Sequence, residues 1–250
     1  DRTAFALAVS VAAGVPLASE SLHVAVDGVP VATRELRDAD GTRLHVFDTH
    51  AGLLSIRYDA TVVGRAPAPM LTPLDEIVYL RPSRYVPSDA LTEFARDTFA
   101  GLSARELVGA VSDWVFHNIR YDAAVTTPTG GAAETLTGRA GVCRDFAHLT
   151  AALLRALDVP ARLVSVYAPQ LRPMDLHAVV EAAIDGRWVV VDSTRLAPRS
   201  GLVRIATGRD AADVAFETNT LADVVLRTMY VDAHVDEQLV EDPAELVVLG

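Results

Sequence analysis

The sequence predicts an α+β protein, with an N-terminal β-sandwich over about residues 1–72 and a second domain over residues 73–250 in which helices pack on an antiparallel sheet. Three observations point there. Short strand-like runs separated by Gly- and Asp-containing turns crowd the start of the chain. A proline cluster, Ala66-Pro67-Ala68-Pro69 and Leu71-Thr72-Pro73, follows and marks a boundary. From Ser88 onward, helical periodicity alternates with strand-like runs.

The elements follow in order. Residues 5–11 and 22–26 are strand-like, and Asp27-Gly28 supplies a turn after the second. The apolar stretch 4–17 has no basic region ahead of it, so it reads as strand rather than signal segment, and with no signal peptide visible a cytoplasmic location is expected, although the sequence opens at Asp1 and not Met. Asp38-Ala39-Asp40-Gly41 joins two further strands, 34–36 and 43–47, as a hairpin, and residues 53–63 give another strand. Ser88 or Asp89 can cap a helix to about Ala100, which Gly101 ends. Ser103 and Glu106 form a capping box for a helix to about Asn118, with Leu107, Val108, Val111, Trp114 and Val115 at helical spacing. Residues 121–138 read as a loop with a short turn at 132–136. The strongest helix spans 142–157, its apolar face marked by Val142, Phe146, Leu149, Leu153 and Leu157, and Pro160 stops it. Strands are expected at 161–167, 177–184, 187–192 and 224–231.

Composition bounds the function. The 250 residues include 33 acidic and 22 basic side chains, every basic one arginine, for a net charge of −11. Such a surface repels nucleic acid and anionic lipid. No apolar run approaches the ~18 residues a membrane-spanning helix needs. The single cysteine excludes an intramolecular disulfide and any zinc site needing two thiolates. No EF-hand or phosphate loop is present. Asp210 and Asp213 suit a capped turn and a salt bridge better than calcium. His177, Asp192 and Asp175 lack the second histidine in register that a metal site would want. No cofactor or metal is expected.

A lone cysteine is either a buried small hydrophobe or a reactive thiol. Cys143 opens the strongest helix, where unpaired N–H groups and the helix dipole favour a thiolate and can receive an oxyanion. A nucleophilic thiol needs a base. His148 lies about 140° from the cysteine around the helix, which suits packing or hydrogen bonding. His23, His45, His50, His117 and His234 read as surface or supporting residues. His177 differs. If Asp185-Gly186 is a two-residue turn, Ile184 pairs with Arg187, Asp192 falls opposite Val179, and Asp192 becomes a diagonal neighbour of His177 on one sheet face. A one-residue slip would separate them. An ordinary hairpin His-Asp pair would look the same at this level.

Several motifs are similar to those of one family. Gly141-Val142-Cys143-Arg144-Asp145-Phe146-Ala147-His148-Leu149, followed by Leu157-Asp158-Val159-Pro160-Ala161-Arg162, resembles the nucleophile helix and next strand of bacterial transglutaminase-like proteins. His177-Ala178-Val179-Val180-Glu181 resembles their histidine strand, and Gly186-Arg187-Trp188 with Asp192-Ser193-Thr194 their aspartate strand. Residues 79–85, 135–140 and 203–214 also fit, so the likeness covers about residues 75–231. It implies a papain-like core with Cys143 as nucleophile, His177 as base and Asp192 as orienting group, acting through a thioester on a peptide or protein substrate as a cysteine protease, amidase or transglutaminase. Val179, Ser193 and Val166 depart from the family's usual aromatic, proline and glycine without removing a reacting group. The alternative is a binding module that keeps the fold without catalysis. For the oxyanion, the Cys143 N–H is one donor, and Tyr167 is a weak candidate for a second.

Overall fold

The structure, a computed structural model, describes residues 2–242 and 245–250. Strands β1 (Arg2–Leu7), β2 (Leu17–Val26), β3 (Val29–Pro30), β4 (Arg34–Arg37), β5 (Arg43–His50) and β6 (Leu54–Val62) form two antiparallel sheets. Phe5, Leu7 and Phe47 from one meet Val24, Leu22 and Leu54 from the other, which closes a small sandwich core. The Phe5 and Phe47 rings stack at 5.1 Å. The first strand ends at Leu7, short of the expected Val11. Residues 8–12 cross instead to the second half of the chain, where the Ala12 N–H donates to the Arg204 carbonyl.

Helices α1 (Pro73–Val78), α2 (Thr92–Thr98) and α3 (Ala104–Asn118) follow, the second preceded by a 3-10 turn at Ser88–Leu91. The Glu106 carboxylate accepts the Ser103 N–H at 2.8 Å, as the capping box predicts. Next come β7 (Arg120–Tyr121), α4 (Ala132–Gly138), β8 (Ala140–Gly141) and α5 (Cys143–Ala156). Beyond them lie β9 (Ala161–Tyr167), β10 (His177–Ile184), β11 (Arg187–Val191), β12 (Val203–Gly208), α6 (Ala211–Val214) and β13 (Glu217–Thr220). The second half is thus a four-stranded antiparallel sheet, ordered β11-β10-β9-β12. On one face Phe146, Leu149 and Leu153 of α5 pack against Leu163, Val180 and Val191. On the other, Val164, Val166 and Val179 pack against Leu171, Leu202 and Leu249. Helix α5 is the centre of the molecule: every residue from 145 to 156 is buried, polar ones included.

Two features bind the halves together, the second of them buried. Strand β13 returns to the first sheet and pairs with β1 from Ala4↔Thr220 to Leu7↔Glu217. Glu181, with no exposed surface, accepts from Arg162 Nε at 2.8 Å and Arg204 Nη2 at 2.6 Å. Arg162 also reaches Asp40 at 3.0 Å, and Arg204 reaches the Leu249 carbonyl at 3.0 Å. Burial pushes the Glu181 carboxyl up, but the two guanidiniums hold it below the ordinary carboxylate range.

Residues 224–231 are not the strand that their composition predicts. β-branched and aromatic residues suit a pleated surface, but a strand also needs a neighbour. Here β13 already occupies the edge of the sheet beside β1. Among the described residues, no helix is long and apolar enough to cross a membrane.

Candidate active site

Cys143 is the first residue of α5 and is partly exposed. The turn that delivers it is tightly built. The Val142 N–H donates to the Asp145 carboxylate at 2.9 Å, while the Asp145 and Phe146 N–H groups return to the Val142 carbonyl. A side chain at position 141 would place its Cβ 2.5 Å from the Asp145 Cβ, so only glycine fits there. Arg144 turns away from the thiol, donating to Thr126 Oγ1 at 2.7 Å and the Thr127 carbonyl at 2.6 Å, and so fastens the 122–131 loop beside the helix start.

The hairpin forms as the residues predict. Asp185 and Gly186 take φ values of 51° and 76°, the two left-handed positions of a type I′ turn, and Ile184 pairs with Arg187. The ladder runs on to Val180↔Val191. That register brings His177, at the start of β10, and Asp192, just beyond β11, to one face. His177 Nε2 donates to Asp192 Oδ2 at 2.8 Å, with both side chains buried. The other Asp192 oxygen accepts the Thr194 N–H at 2.9 Å and its hydroxyl at 2.7 Å. Burial raises the Asp192 carboxyl, but His177 and Thr194 outweigh it and hold the carboxyl below its usual range. Burial likewise pulls the His177 imidazolium down, but Asp192, and after it Cys143, raise it to about 10. Cys143 is thus among the groups that act on this ring. Of the three residues singled out from the sequence, His177 and Asp192 meet directly, and Cys143 opens the helix packed on their sheet.

The other candidates fall elsewhere. The Tyr167 hydroxyl donates to the Val9 carbonyl at 2.6 Å, which corrects its reading as an oxyanion donor. Asp175 is exposed and accepts the neighbouring Leu176 N–H at 2.7 Å. His148 packs, as its helix position predicts: it is wholly buried, stacks on Tyr85 at 5.4 Å and accepts the Ala211 N–H at 3.1 Å. His45 shares a hydrogen bond of 2.8 Å with Ser10. Asp210 caps the Ala212 N–H, and Asp213 pairs with Arg209 at 2.8 Å. Among the described residues, no three metal-ligating side chains cluster.

Sequence reasoning missed Tyr121. Strands β7 and β8 pair in parallel with Tyr121 opposite Gly141, which sets the tyrosine beside the start of α5. Burial first, then Cys143, raises the phenol to about 12. Two strands of two residues each leave no period to read, so no local signal could have revealed this neighbour.

Comparison with known proteins gives four findings. Residues 92–193 match the transglutaminase-like superfamily. The chain resembles the solved structure of a candidate cysteine protease from Cytophaga hutchinsonii, with 35% identity and a TM-score of 0.86 over 98% of this chain and 91% of that one. An uncharacterized protein of Mycobacterium leprae is 28% identical over 150 residues, which is 56% of this chain and 53% of the relative. An uncharacterized protein of Mycobacterium tuberculosis is 39% identical over 83 residues, 32% of this chain and 26% of the relative. The matched part thus spans about half the length of the first curated relative, and less of the second.

Proposed function

Because this chain belongs to the transglutaminase-like superfamily, we propose that it performs thiol-dependent acyl transfer or hydrolysis on peptide or carboxamide substrates, with Cys143 as nucleophile, His177 as base and Asp192 as the group that orients the base. The observation that supports this reading is the buried His177–Asp192 bond of 2.8 Å, on a ring whose imidazolium Cys143, the only cysteine of the chain, also helps to raise.

The chemistry follows from that arrangement. The imidazolium and thiolate form an ion pair, stabilised on one side by Asp192 and on the other by the positive end of α5. The thiolate attacks the acyl carbon, and the carbonyl electrons move onto oxygen. The Cys143 N–H and the Tyr121 O–H, which remains protonated through neutral pH, are the donors that receive this oxyanion. The tetrahedral intermediate collapses, the C–N bond breaks, and His177 delivers its proton to the departing ammonia or amine. A thioester on Cys143 remains. His177 then accepts a proton from water or an amine, which takes the acyl group and frees the thiol. Water makes the protein a protease or amidase; an amine makes it a transglutaminase.

Alkylation tests the pair without knowing the substrate. Iodoacetamide at about pH 6, where an ordinary thiol is almost wholly protonated, should label Cys143 rapidly, as read by intact mass. His177→Ala and Asp192→Asn should slow labelling by about tenfold or more. Labelling of the folded protein no faster than of the unfolded chain would sink the proposal. A peptide library incubated with the protein, with mass detection of the acyl group on Cys143 and of hydrolysed or aminated products, would identify substrate and acceptor.

A further inference from the structure

The run Leu221-Ala222-Asp223-Val224-Val225-Leu226-Arg227-Thr228-Met229-Tyr230 is exposed at every residue. Leu221, Val225 and Tyr230 are 82%, 78% and 85% exposed, and Val224, Leu226 and Met229 are also largely open to solvent. Elsewhere in the chain, large apolar residues are mostly packed into three cores. The composition of the run is that of a strand, with β-branched and aromatic residues and neither glycine nor proline. Among the described residues, no strand pairs with it. It carries none of the devices that guard a free edge, such as proline, a bulge or a dense run of charge. It follows β13, the edge strand of its sheet, after a bend at Leu221, whose φ is 75°.

We infer that this run is the interface of a homodimer, in which residues 222–228 of two copies pair antiparallel about a two-fold axis through Val225. The argument is self-complementarity. An isologous strand pair sets each residue opposite the one equally far beyond the axis. The only opposite charges in the run, Asp223 and Arg227, lie two residues on either side of Val225. Each therefore faces its complement in the second copy, and the pair forms twice. No like charges meet within it: Ala222 falls opposite Thr228 and Val224 opposite Leu226. An axis through Asp223 or Arg227 would set that charge against itself. In the Val225 register, Ala222, Val224, Leu226 and Tyr230 share one face, so the new ribbon has an apolar side to bury. Asp223 and Arg227 make no ion pair within the monomer among the described residues, which leaves both for the second copy.

Light scattering on the purified chain over about 1–100 µM reads the result. The wild-type chain should shift from monomer to dimer, and hydrogen exchange at residues 221–229 should slow as the dimer forms. Asp223→Arg and Arg227→Asp each create a like-charge pair twice per dimer, and each should raise the dissociation constant by at least about tenfold. The double variant Asp223→Arg/Arg227→Asp restores both pairs and should recover dimerisation. Circular dichroism confirms that these exposed substitutions leave the fold intact. A wild-type chain that stays monomeric throughout overturns the proposal. A dimer indifferent to the single swaps places the interface elsewhere and overturns it too. Failure of the double variant to recover overturns the Val225 register.

Discussion

Cys143 and His177 were legible as individual residues because each carries a strong local signal, a helix start for one and a fixed hairpin for the other. Tyr121 was not, because what brings it to Cys143 is a long-range pairing with Gly141. His148 shows the same limit from the other side: its helix position excluded it from the site, but only the packing shows what it costs. Burial lowers its imidazolium to about 4, with Asp210 and Asp145 opposing and Arg144 and Arg155 assisting. In the unfolded chain the ring titrates near 6.5. The neutral ring therefore stabilises the fold in full above pH 6.5, and that contribution is lost as the pH falls from 6.5 through 4. The loss is on the order of 3 kcal/mol. His177 shifts the opposite way, so its contribution is full below 6.5 and fades only as the pH rises towards 10. It cannot cause an acid limb. His148→Phe keeps the stacking on Tyr85 but cannot accept the Ala211 N–H, so it should cost about 1 kcal/mol at pH 8. Urea titrations from pH 8 to 4 should show a flatter decline for this variant. An equal decline would assign the acid sensitivity to other groups.

At the scale of elements, the hairpin is the clearest case of sequence setting geometry. The Asp185-Gly186 pair fixes the turn, the turn fixes the register, and the register sets His177 on Asp192. One residue inserted between Asp185 and Gly186 should leave a folded sheet with Asp192 moved to the opposite face. Rapid labelling at about pH 6 should then be lost while circular dichroism is unchanged. If labelling survives, α5 alone activates the thiol. Strand β12 was less readable, because Val203-Arg204-Ile205-Ala206-Thr207-Gly208 holds an arginine whose partner, Glu181, lies on another strand. Helix α5 was read as amphipathic and proves buried all round, because flanking helices cover the face away from the sheet. Residues 224–231 failed for the converse reason: strand propensity is a property of the segment, whereas a strand requires a neighbour.

Across the whole molecule, the α+β class and the order of strands before helices were readable from pattern alone. The connections between the halves were not, since they rest on pairs far apart in sequence. Glu181 is the junction of these, joining β10 to β9 and β12 directly, and to Asp40 and the chain end through its two arginines. Glu181→Gln keeps the volume but strands two buried guanidiniums. It should destabilise the protein by about 3–5 kcal/mol, in line with breaking a buried ion pair from one side. Chemical denaturation measures this, and a loss below about 1 kcal/mol would mean that water or rearrangement satisfies both arginines.

The return of β13 to β1 carries a consequence for biosynthesis. A ribosome delivers β1 first, but its last neighbour emerges only after Cys143, His177 and Asp192 have been made. Until then β1 keeps one open edge, and the first sheet waits on residues 217–220. Sandwich and site therefore mature in the same late interval. A chain cut short before residue 217 is left with an unpaired, aggregation-prone edge instead of a smaller finished protein.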